Sequence, residues 1–345
     1  MDDGWKYTRA LIAVLATIAF LVIARPVLIP LVLALFVWLI LNVTSRGSRR
    51  VLHAIGLDSH AAAKLLSILV VSATLVLLGA LVGQNAYEIA QALPHYEERL
   101  DTVLSSLMRA ARMNETVAIS DLLDRLELTP ILLSLAGSMA SFLSSLVIVV
   151  VYVLFINQEA GAAEAKLAAV ISDPVERERV HRIIRRIITE IDAYMGVNMF
   201  CGVIQAVPTW AVLAAVGVDA PVFWAVVIFI TSFIPTIGTL FGIVFPALMA
   251  LVQFDTFTPF VVVLAVMLPV QLFASNYLEP RMMSSSMNLS GLVVLVGIFA
   301  GGAIWGIVGA LIVVPVLSVM MLIFAQIPSM RPVALLMSSD GRLED

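Results

Sequence analysis

Four amide side chains interrupt otherwise apolar runs of this sequence, and an amide can both donate and accept hydrogen bonds. Gln271 and Asn276 lie five residues apart in one run, an offset of about 140° around a helix, so they need not share a face. Asn198 and Gln205 lie seven residues apart in an earlier run, near one face. Buried polar groups are costly in lipid unless they are paired. These amides therefore either bind a hydroxylated solute or join helices by hydrogen bonds, and both readings stay open.

A second polar feature is the break Pro235-Thr236-Ile237-Gly238, which is followed by Thr239. The apolar run before it, Val222–Ile234, has 13 residues. As a helix it would reach about 20 Å, too short for a hydrocarbon core of about 30 Å. The run after it, Thr239–Val252, contains Pro246. Non-helical backbone at this depth must be buried in protein or line a water-filled cavity, so the break is a candidate site.

A later apolar run, Leu292–Phe324, is too long for one ordinary span and is rich in glycine, including Gly302 and Gly306. Its segment Gly302–Val308 is similar to Gly238–Val244, as an internal repeat would be. Each broken run is either one kinked span, which gives eight spans, or a re-entrant hairpin, which gives six spans and two hairpins. Paired short, broken segments are typical of binding sites in transporters, and we favour the hairpins.

Several other chemistries are excluded by the residues present. The single Cys201 cannot form an internal disulfide or a thiolate metal cage, and the four histidines have no metal-binding spacing. Hydrolase and phosphate-loop motifs are missing, so we expect no enzyme activity, no catalytic or metal-binding residues and no cofactor. The charge of −4 makes nucleic acid an unsuitable partner. The carboxylates nearest to a span are Glu190 and Asp192.

The composition identifies a membrane protein. Of 345 residues, 61% are hydrophobic and 13% are charged, with a mean hydropathy of +1.05. Soluble domains contain about 45–50% apolar and about 25% charged residues. We therefore expect an all-α polytopic membrane protein with about eight hydrophobic segments, surrounded by membrane lipid.

Arginine-rich segments after the second and fourth spans are placed in the cytoplasm by the positive-inside rule. We expect the first two spans, Ala10–Ala24 and Val27–Val43, to form a hairpin with both of its ends inside. The predicted organisation is an N-terminal three-span segment (1–87), an extracytoplasmic helical insertion (88–130), a fourth span (131–156), cytoplasmic amphipathic helices (157–195), a core with two broken hairpins (196–328) and a cytoplasmic tail (329–345).

The second half of the chain resembles the AI-2E, or autoinducer-2 exporter-like, family of bacterial permeases. Ile234-Pro235-Thr236-Ile237-Gly238, followed by Pro246-Ala247-Leu248, is similar to the I-P-x-x-G core and P-A-x element of that family. Gln271, Asn276 and Pro280 match its Q-x-x-x-x-N-x-x-x-P signature. The segment from Gly301 to Pro315 completes the resemblance.

The resemblance implies an ATP-independent exporter or permease of a small polar molecule such as the quorum-sensing signal autoinducer-2. It implies a multi-pass protein of the bacterial inner membrane, both termini cytoplasmic, that assembles as a homopentamer. Coupling to H⁺ or Na⁺, a Na⁺(Li⁺)/H⁺ antiporter and an oligomeric channel remain alternatives. The expected substrate-binding residues are Pro235, Thr236, Gly238, Thr239, Gln271, Asn276, Asn198 and Gln205, and the structural or gating residues are Pro246, Glu279, Pro280, Arg281, Gly302 and Gly306.

Three positions depart from the family pattern. Ala274 stands where the family commonly has a carboxylate, Thr239 where it often has proline, and Ser232 where it often has asparagine. The missing acid weakens the case for ion coupling at this site. Glu279 and Arg281 flank Pro280, and we expect them to form a local ion pair that fixes the loop.

Overall fold

The protein is described by a computed structural model that covers residues 2–54, 80, 84, 128–235, 237–283 and 288–342. Thr236, nearly all of the expected span Ala61–Tyr87 and nearly all of the insertion 88–130 lie outside these residues. The described helices are α1 (Asp2–Ile23), α2 (Arg25–Ala54), α3 (Leu128–Val170), α4 (Pro174–Val216), α5 (Pro221–Thr231), α6 (Ile237–Gln253), α7 (Thr258–Phe273), α8 (Glu279–Met283), α9 (Gly291–Gln326) and α10 (Arg331–Met337). A π-helical turn, Ala274–Leu278, joins α7 to α8.

The expected all-α polytopic fold is confirmed. By length and composition alone, four described helical segments could cross a membrane: Ile148–Val170, Pro174–Val216, Thr258–Met282 and Gly291–Gln326, the last of which turns back at Trp305 and Gly306. A fifth crossing results if the bent pair α1–α2 is one span. The helices α4, α6, α7 and α9 each contain an internal proline. Membrane helices tolerate such prolines because neighbouring groups satisfy the freed carbonyls.

The polar segment 157–195 is not a separate set of helices, since α3 and α4 run through it. Each has 43 residues, or about 65 Å, roughly twice the hydrocarbon thickness. The connection between them is only three residues, and α4 begins at Pro174, where a proline without an N–H is well tolerated. Asp173 caps it, because its Oδ1 accepts a hydrogen bond from the backbone N–H of Val175 at 2.9 Å.

The first two helices do not form the expected antiparallel hairpin. The axes of α1 and α2 are bent by 82° at Ala24. The position of the break was predicted, since it falls between the expected spans Ala10–Ala24 and Val27–Val43, where Pro26 lacks the N–H of a continuous helix. The angle was not, because it depends on what α1 and α2 pack against, and both contact α9.

The chain divides into two compact units, and each is described by itself. The first contains Met1–Ile68, Leu146–Val197 and Met282–Asp345, and the second contains Leu69–Ser145 and Asn198–Arg281. The apolar core of the second unit is built from α4, α5, α6 and α7. Its largest side chains are Trp224 and Phe223, whose rings meet edge to face with centroids 5.1 Å apart.

The first broken run folds back as α5 and α6, which we call the first hairpin (residues 221–253). Gly238, just after the break, lies so close to Thr231 that a Cβ atom would collide with the Thr231 carbonyl. One turn further on, a Cβ on Gly242 would lie 3.4 Å from Ile228 Cγ1. The facing position moves backward along α5 as the chain advances along α6, so the arms are antiparallel.

The second broken run also folds back, and we call the two arms of α9 the second hairpin (residues 291–326). The turn is at Trp305 and Gly306, and Gly306 has φ 62°. A Cβ on Gly301 would lie 2.7 Å from the Gly309 carbonyl oxygen. In a straight helix these residues would stand about 12 Å apart along the axis. Both broken runs are therefore hairpins, as the sequence predicts.

The alignment of the two runs as a repeat is wrong in its register. Gly238 comes after the break in the first hairpin, whereas Gly302 comes before the break in the second. The glycine that packs against the opposite arm just after the second break is Gly309. The matched residues therefore occupy different parts of the two hairpins.

Candidate functional site

The tip of the first hairpin is held by local hydrogen bonds. The N–H groups of Ile234 and Gly238 donate to the carbonyls of Thr231 and Ile234, each at 2.9 Å. The hydroxyls of Thr231 and Ser232 donate to the carbonyls of Ile228 and Phe229, at 3.2 and 2.7 Å. These hydroxyls therefore satisfy carbonyl groups at the end of α5.

Thr239 and Ser275 join the first hairpin to the π-helical turn. Their hydroxyl oxygens lie 2.7 Å apart. Pro235 is half-buried at the tip, while Gly238 and Pro246 are buried within the hairpin. Of the expected binding residues in this segment, Thr239 is thus paired within the protein and Thr236 lies outside the described residues.

Gln271 on α7 is fully buried, with 0% of its surface exposed. Neither Nε2 nor Oε1 of its amide has a hydrogen-bond partner in the described part of the chain. The amide faces α6, where a Cβ on Gly242 would lie 2.9 Å from Nε2. An amide that is buried without partners is costly, so Gln271 is the most unusual polar group of this unit.

Asn276 does not join Gln271. It lies in the π-helical turn and is exposed, whereas Gln271 is buried. The sequence offset between the two residues allowed this outcome. A π-helical turn inside a membrane helix often marks a functional position, because it changes which side chains face the protein interior.

A buried polar stripe on α4 faces the first hairpin. Asn198 and Gln205 are 1% and 3% exposed, and their spacing with Gly202 places all three on one helix face. A Cβ on Gly202 would lie 2.6 Å from Ser232 Oγ and 2.9 Å from Phe229 Cδ2. The glycine therefore lets the hairpin tip lie against α4, between the two amides.

The boundary residues after α7 are arranged differently from the expected ion pair. Arg281 lies over the ring of Tyr277, with its guanidinium carbon 4.1 Å from the ring centroid. Glu279 is half-buried, whereas Pro280 and Arg281 are exposed. The pair between Glu279 and Arg281 stays a prediction.

Gln253 was missed by the sequence reasoning, and it closes the base of the first hairpin. Its Oε1 accepts from the Asp219 N–H at 2.7 Å, and its Nε2 donates to the Gly217 carbonyl at 2.9 Å and to Asp219 Oδ1 at 3.1 Å. The turn it holds contains Gly217 and Ala220 with positive φ values of 84° and 54°. A surface glutamine 34 positions from its partner leaves no local pattern in the sequence.

In the first unit, Asn288 closes the base of the second hairpin. Its Nδ2 donates to Asp340 Oδ1 at 2.6 Å and to the Arg342 carbonyl at 3.0 Å. Its carbonyl accepts from the Ser339 N–H at 3.1 Å, and Ser290 N–H donates to the Met337 carbonyl at 2.8 Å. The tail from α10 onward is therefore bound to the loop that precedes α9.

The glycines that shape the second hairpin are only partly those expected. Gly306 supplies the positive φ of the turn, as a gating or structural residue would. Gly302 faces open space, with no atom within 4 Å of a built Cβ. The close contact between the arms is made by Gly301 and Gly309.

Glu190 contacts the second hairpin within the first unit. Its Oε1 accepts from Arg186 Nε at 3.1 Å, and its Oε2 accepts from Ser318 Oγ at 3.1 Å. Ser318 is buried on the second arm of α9. No cluster of three metal-ligating side chains occurs among the residues that the structure describes.

Comparison with known proteins identifies relatives of this chain. The model of the AI-2E family transporter matches residues 11–329. The AI-2 transport protein TqsA of Escherichia coli (strain K12) is 29% identical, and the alignment covers 95% of this chain and 93% of that protein. A putative transport protein of Haemophilus influenzae is 25% identical over 100% of this chain and 99% of its own length. The putative transport protein YhhT of Escherichia coli is 28% identical over 86% and 83%. Because the family model matches nearly the whole length, this chain belongs to the AI-2E family of membrane transport proteins.

Proposed function

We propose that this chain is an ATP-independent secondary transporter that exports a small polar molecule, such as autoinducer-2, across the bacterial inner membrane. The observation that carries the proposal is the buried polar stripe of α4, packed against the broken tip of the first hairpin. The printed name of the relative TqsA supplies AI-2 as the first solute to test.

The physical argument starts from the free peptide groups at the break. A helix interrupted at bilayer depth exposes N–H and C=O groups that lipid cannot satisfy. Here the break is covered by the face of α4 that holds Asn198 and Gln205. We assign the substrate-binding role to Pro235, Thr236, Gly238, Thr239, Gln271, Asn276, Asn198 and Gln205. Movement of the hairpin away from α4 would open a polar crevice, as in other transporters with broken helices.

A matched pair of glycine variants on α4 tests this assignment. Gly202→Ala places a methyl group 2.6 Å from Ser232 Oγ, whereas Gly196→Ala places one in open space. In cells that make autoinducer-2, we expect Gly202→Ala to reduce its release severalfold at unchanged membrane abundance, and Gly196→Ala to have no effect. Equal release by wild-type cells and cells with empty vector would reject autoinducer-2 export.

The contact between Glu190 and Ser318 favours a second candidate, a Na⁺(Li⁺)/H⁺ antiporter. Glu190 is a partly buried acid whose oxygens bind an arginine and the second hairpin. In proteoliposomes with an imposed pH or sodium gradient, an antiporter would lose cation flux with Glu190→Gln and Asp192→Asn, but not with the exposed Glu178→Gln. Single-channel currents would support an oligomeric channel instead.

The location and assembly belong to the same proposal. We place the chain in the bacterial inner membrane with both termini in the cytoplasm, as a homopentamer. Reporter fusions at each terminus, one active only in the cytoplasm and one only outside it, test the sidedness. Native mass spectrometry of the detergent-purified protein tests the number of subunits.

A further inference from the structure

The Gln271 amide is fully buried, and both of its polar atoms lack hydrogen-bond partners among the described residues. Its exposed fraction is 0%, and neither Nε2 nor Oε1 meets a partner in the described residues. A leucine of similar size would fill the same space without this cost. A residue that costs stability in the resting protein points to a task in another state of the transport cycle.

The surroundings of the amide show how it is covered. Gly242 on α6 approaches it closely, since a Cβ there would lie 2.9 Å from Nε2 and 3.4 Å from Cδ. Ile228 on α5 contacts Gly242 from the other arm, and Met267, one turn before Gln271, belongs to the apolar core. The first hairpin thus covers the amide, and separation of α6 from α7 would expose it.

We infer that Gln271 determines the specificity of transport, and that the solute is an uncharged molecule carrying a hydrogen-bond donor and an acceptor on neighbouring atoms, such as a hydroxy-ketone or a carboxamide. This inference rests on the proposed function. Such a group matches the donor Nε2 and the acceptor Oε1 of one amide simultaneously. The solute supplies the partners that the closed protein lacks.

The absence of charge in the solute follows from what surrounds the amide. Gly242 faces the amide, and Ile228, which lies against Gly242, and Met267 belong to the apolar core of this unit. A full charge would lose its hydration there without gaining a counter-ion, which is far more costly than the transfer of a neutral group. Ala274, one turn after Gln271, is buried and supplies no charge either.

The test compares Gln271→Leu with wild type, empty vector and the control Gly196→Ala, whose new methyl group meets open space. The probe is the set of metabolites that cells release, measured by untargeted mass spectrometry. We expect every solute that depends on the wild-type protein to be neutral with adjacent donor and acceptor. Its release should fall at least about tenfold in Gln271→Leu. In that variant the donor and acceptor of the solute would be buried without hydrogen-bond partners, and such a mismatch strongly disfavours transport.

A second measurement separates recognition from a structural role. Gln271→Leu removes an unpaired buried amide, so its thermal unfolding midpoint should equal or exceed that of wild type. A lower midpoint, undiminished release, or released solutes that are ions would overturn the inference while leaving the chain a transporter. If wild-type cells release no solute beyond the vector control, the proposed function fails, and this inference fails with it.

Discussion

The indole Nε1 of Trp305 donates a hydrogen bond of 2.9 Å to the carbonyl oxygen of Leu21, across 284 positions of sequence. Trp305 lies at the turn of the second hairpin, and Leu21 lies in the last turn of α1, just before the bend at Ala24. The last four carbonyls of a helix have no partner within it. The indole therefore satisfies one of them and joins two breaks in the backbone of the first unit.

Trp305→Phe tests this link. The donor is lost and the indole is replaced by a smaller phenyl ring, so we expect a loss of at least about 1 kcal/mol in the free energy of unfolding. The thermal unfolding midpoint in detergent should fall below that of Trp210→Phe, which changes an exposed tryptophan on α4. Equal midpoints for the two variants would show that the bond does not contribute.

Gly309→Ala tests the contact between the arms of the second hairpin. The new methyl group would collide with the Gly301 carbonyl, which is backbone and cannot turn aside. We expect destabilisation of about 1–3 kcal/mol, as for overpacked cores, and reduced membrane abundance. Gly302→Ala meets open space and should be neutral or stabilising. A Gly309→Ala protein as stable as the Gly302→Ala protein would mean that the arms can separate freely.

Gln253→Glu tests the base of the first hairpin. The substitution replaces a donor that binds Asp219 Oδ1 at 3.1 Å with a second carboxylate. Like charges at this distance repel, so unfolding should become easier at pH 7 than in wild type. Because protonation removes the repulsion, the difference should shrink as the pH falls below about 4. Gln253→Leu loses the bonds without the repulsion and should show no such pH dependence.

Asp340 makes the attachment of the tail sensitive to pH. The Asn288 amide donates a hydrogen bond to its carboxylate and holds the pKa of Asp340 below its ordinary value of 3.8. Because the pKa is lower in the folded protein, the ionised carboxylate stabilises the attached tail at every pH above the ordinary pKa of Asp340. This stabilisation is lost as the pH falls through the lowered pKa of the folded protein. We expect a spin label at Leu336→Cys, in a Cys201→Ala background, to become mobile only on strong acidification.

Asn288→Ala is the matching variant for that experiment. It removes the donor, so the label should be more mobile already at pH 7, and acidification should change it less than in the parent protein. A label with the same mobility in both proteins at every pH would show that Asn288 does not hold the tail.

Much of the first hairpin could be predicted, because its signals are local. The short run Val222–Ile234 and the sequence from Pro235 to Gly238 place the break within a few residues of the observed tip. The position of the second break could not be read in the same way. Several glycines in that run allow a turn, and the one that takes a positive φ, Gly306, lies next to Trp305, whose partner is in α1.

The membership of the candidate site stays a prediction, but part of its geometry could be foreseen from the sequence. The seven-residue spacing of Asn198 and Gln205 correctly gave one buried face. Their spacing also allowed Gln271 and Asn276 to lie apart. The sequence did not predict the π-helical turn after α7, in which Asn276 is exposed while Gln271 on α7 is buried. Gln253 and Asn288 escaped notice because polar residues outside apolar runs carry no sequence signal until their distant partners are known.

The folded-back course of α9 also constrains how the chain is made. Both ends of the second hairpin leave in the same direction, and the bridge between Leu289 and Ser338 joins the residues that flank it. That bridge cannot form until the ribosome has delivered all of α9 and α10, so the base of the hairpin stays open until synthesis has passed Ser338. A truncated chain that lacks Ser338 would leave the hairpin unfastened, a state that membrane proteases can distinguish from the finished protein.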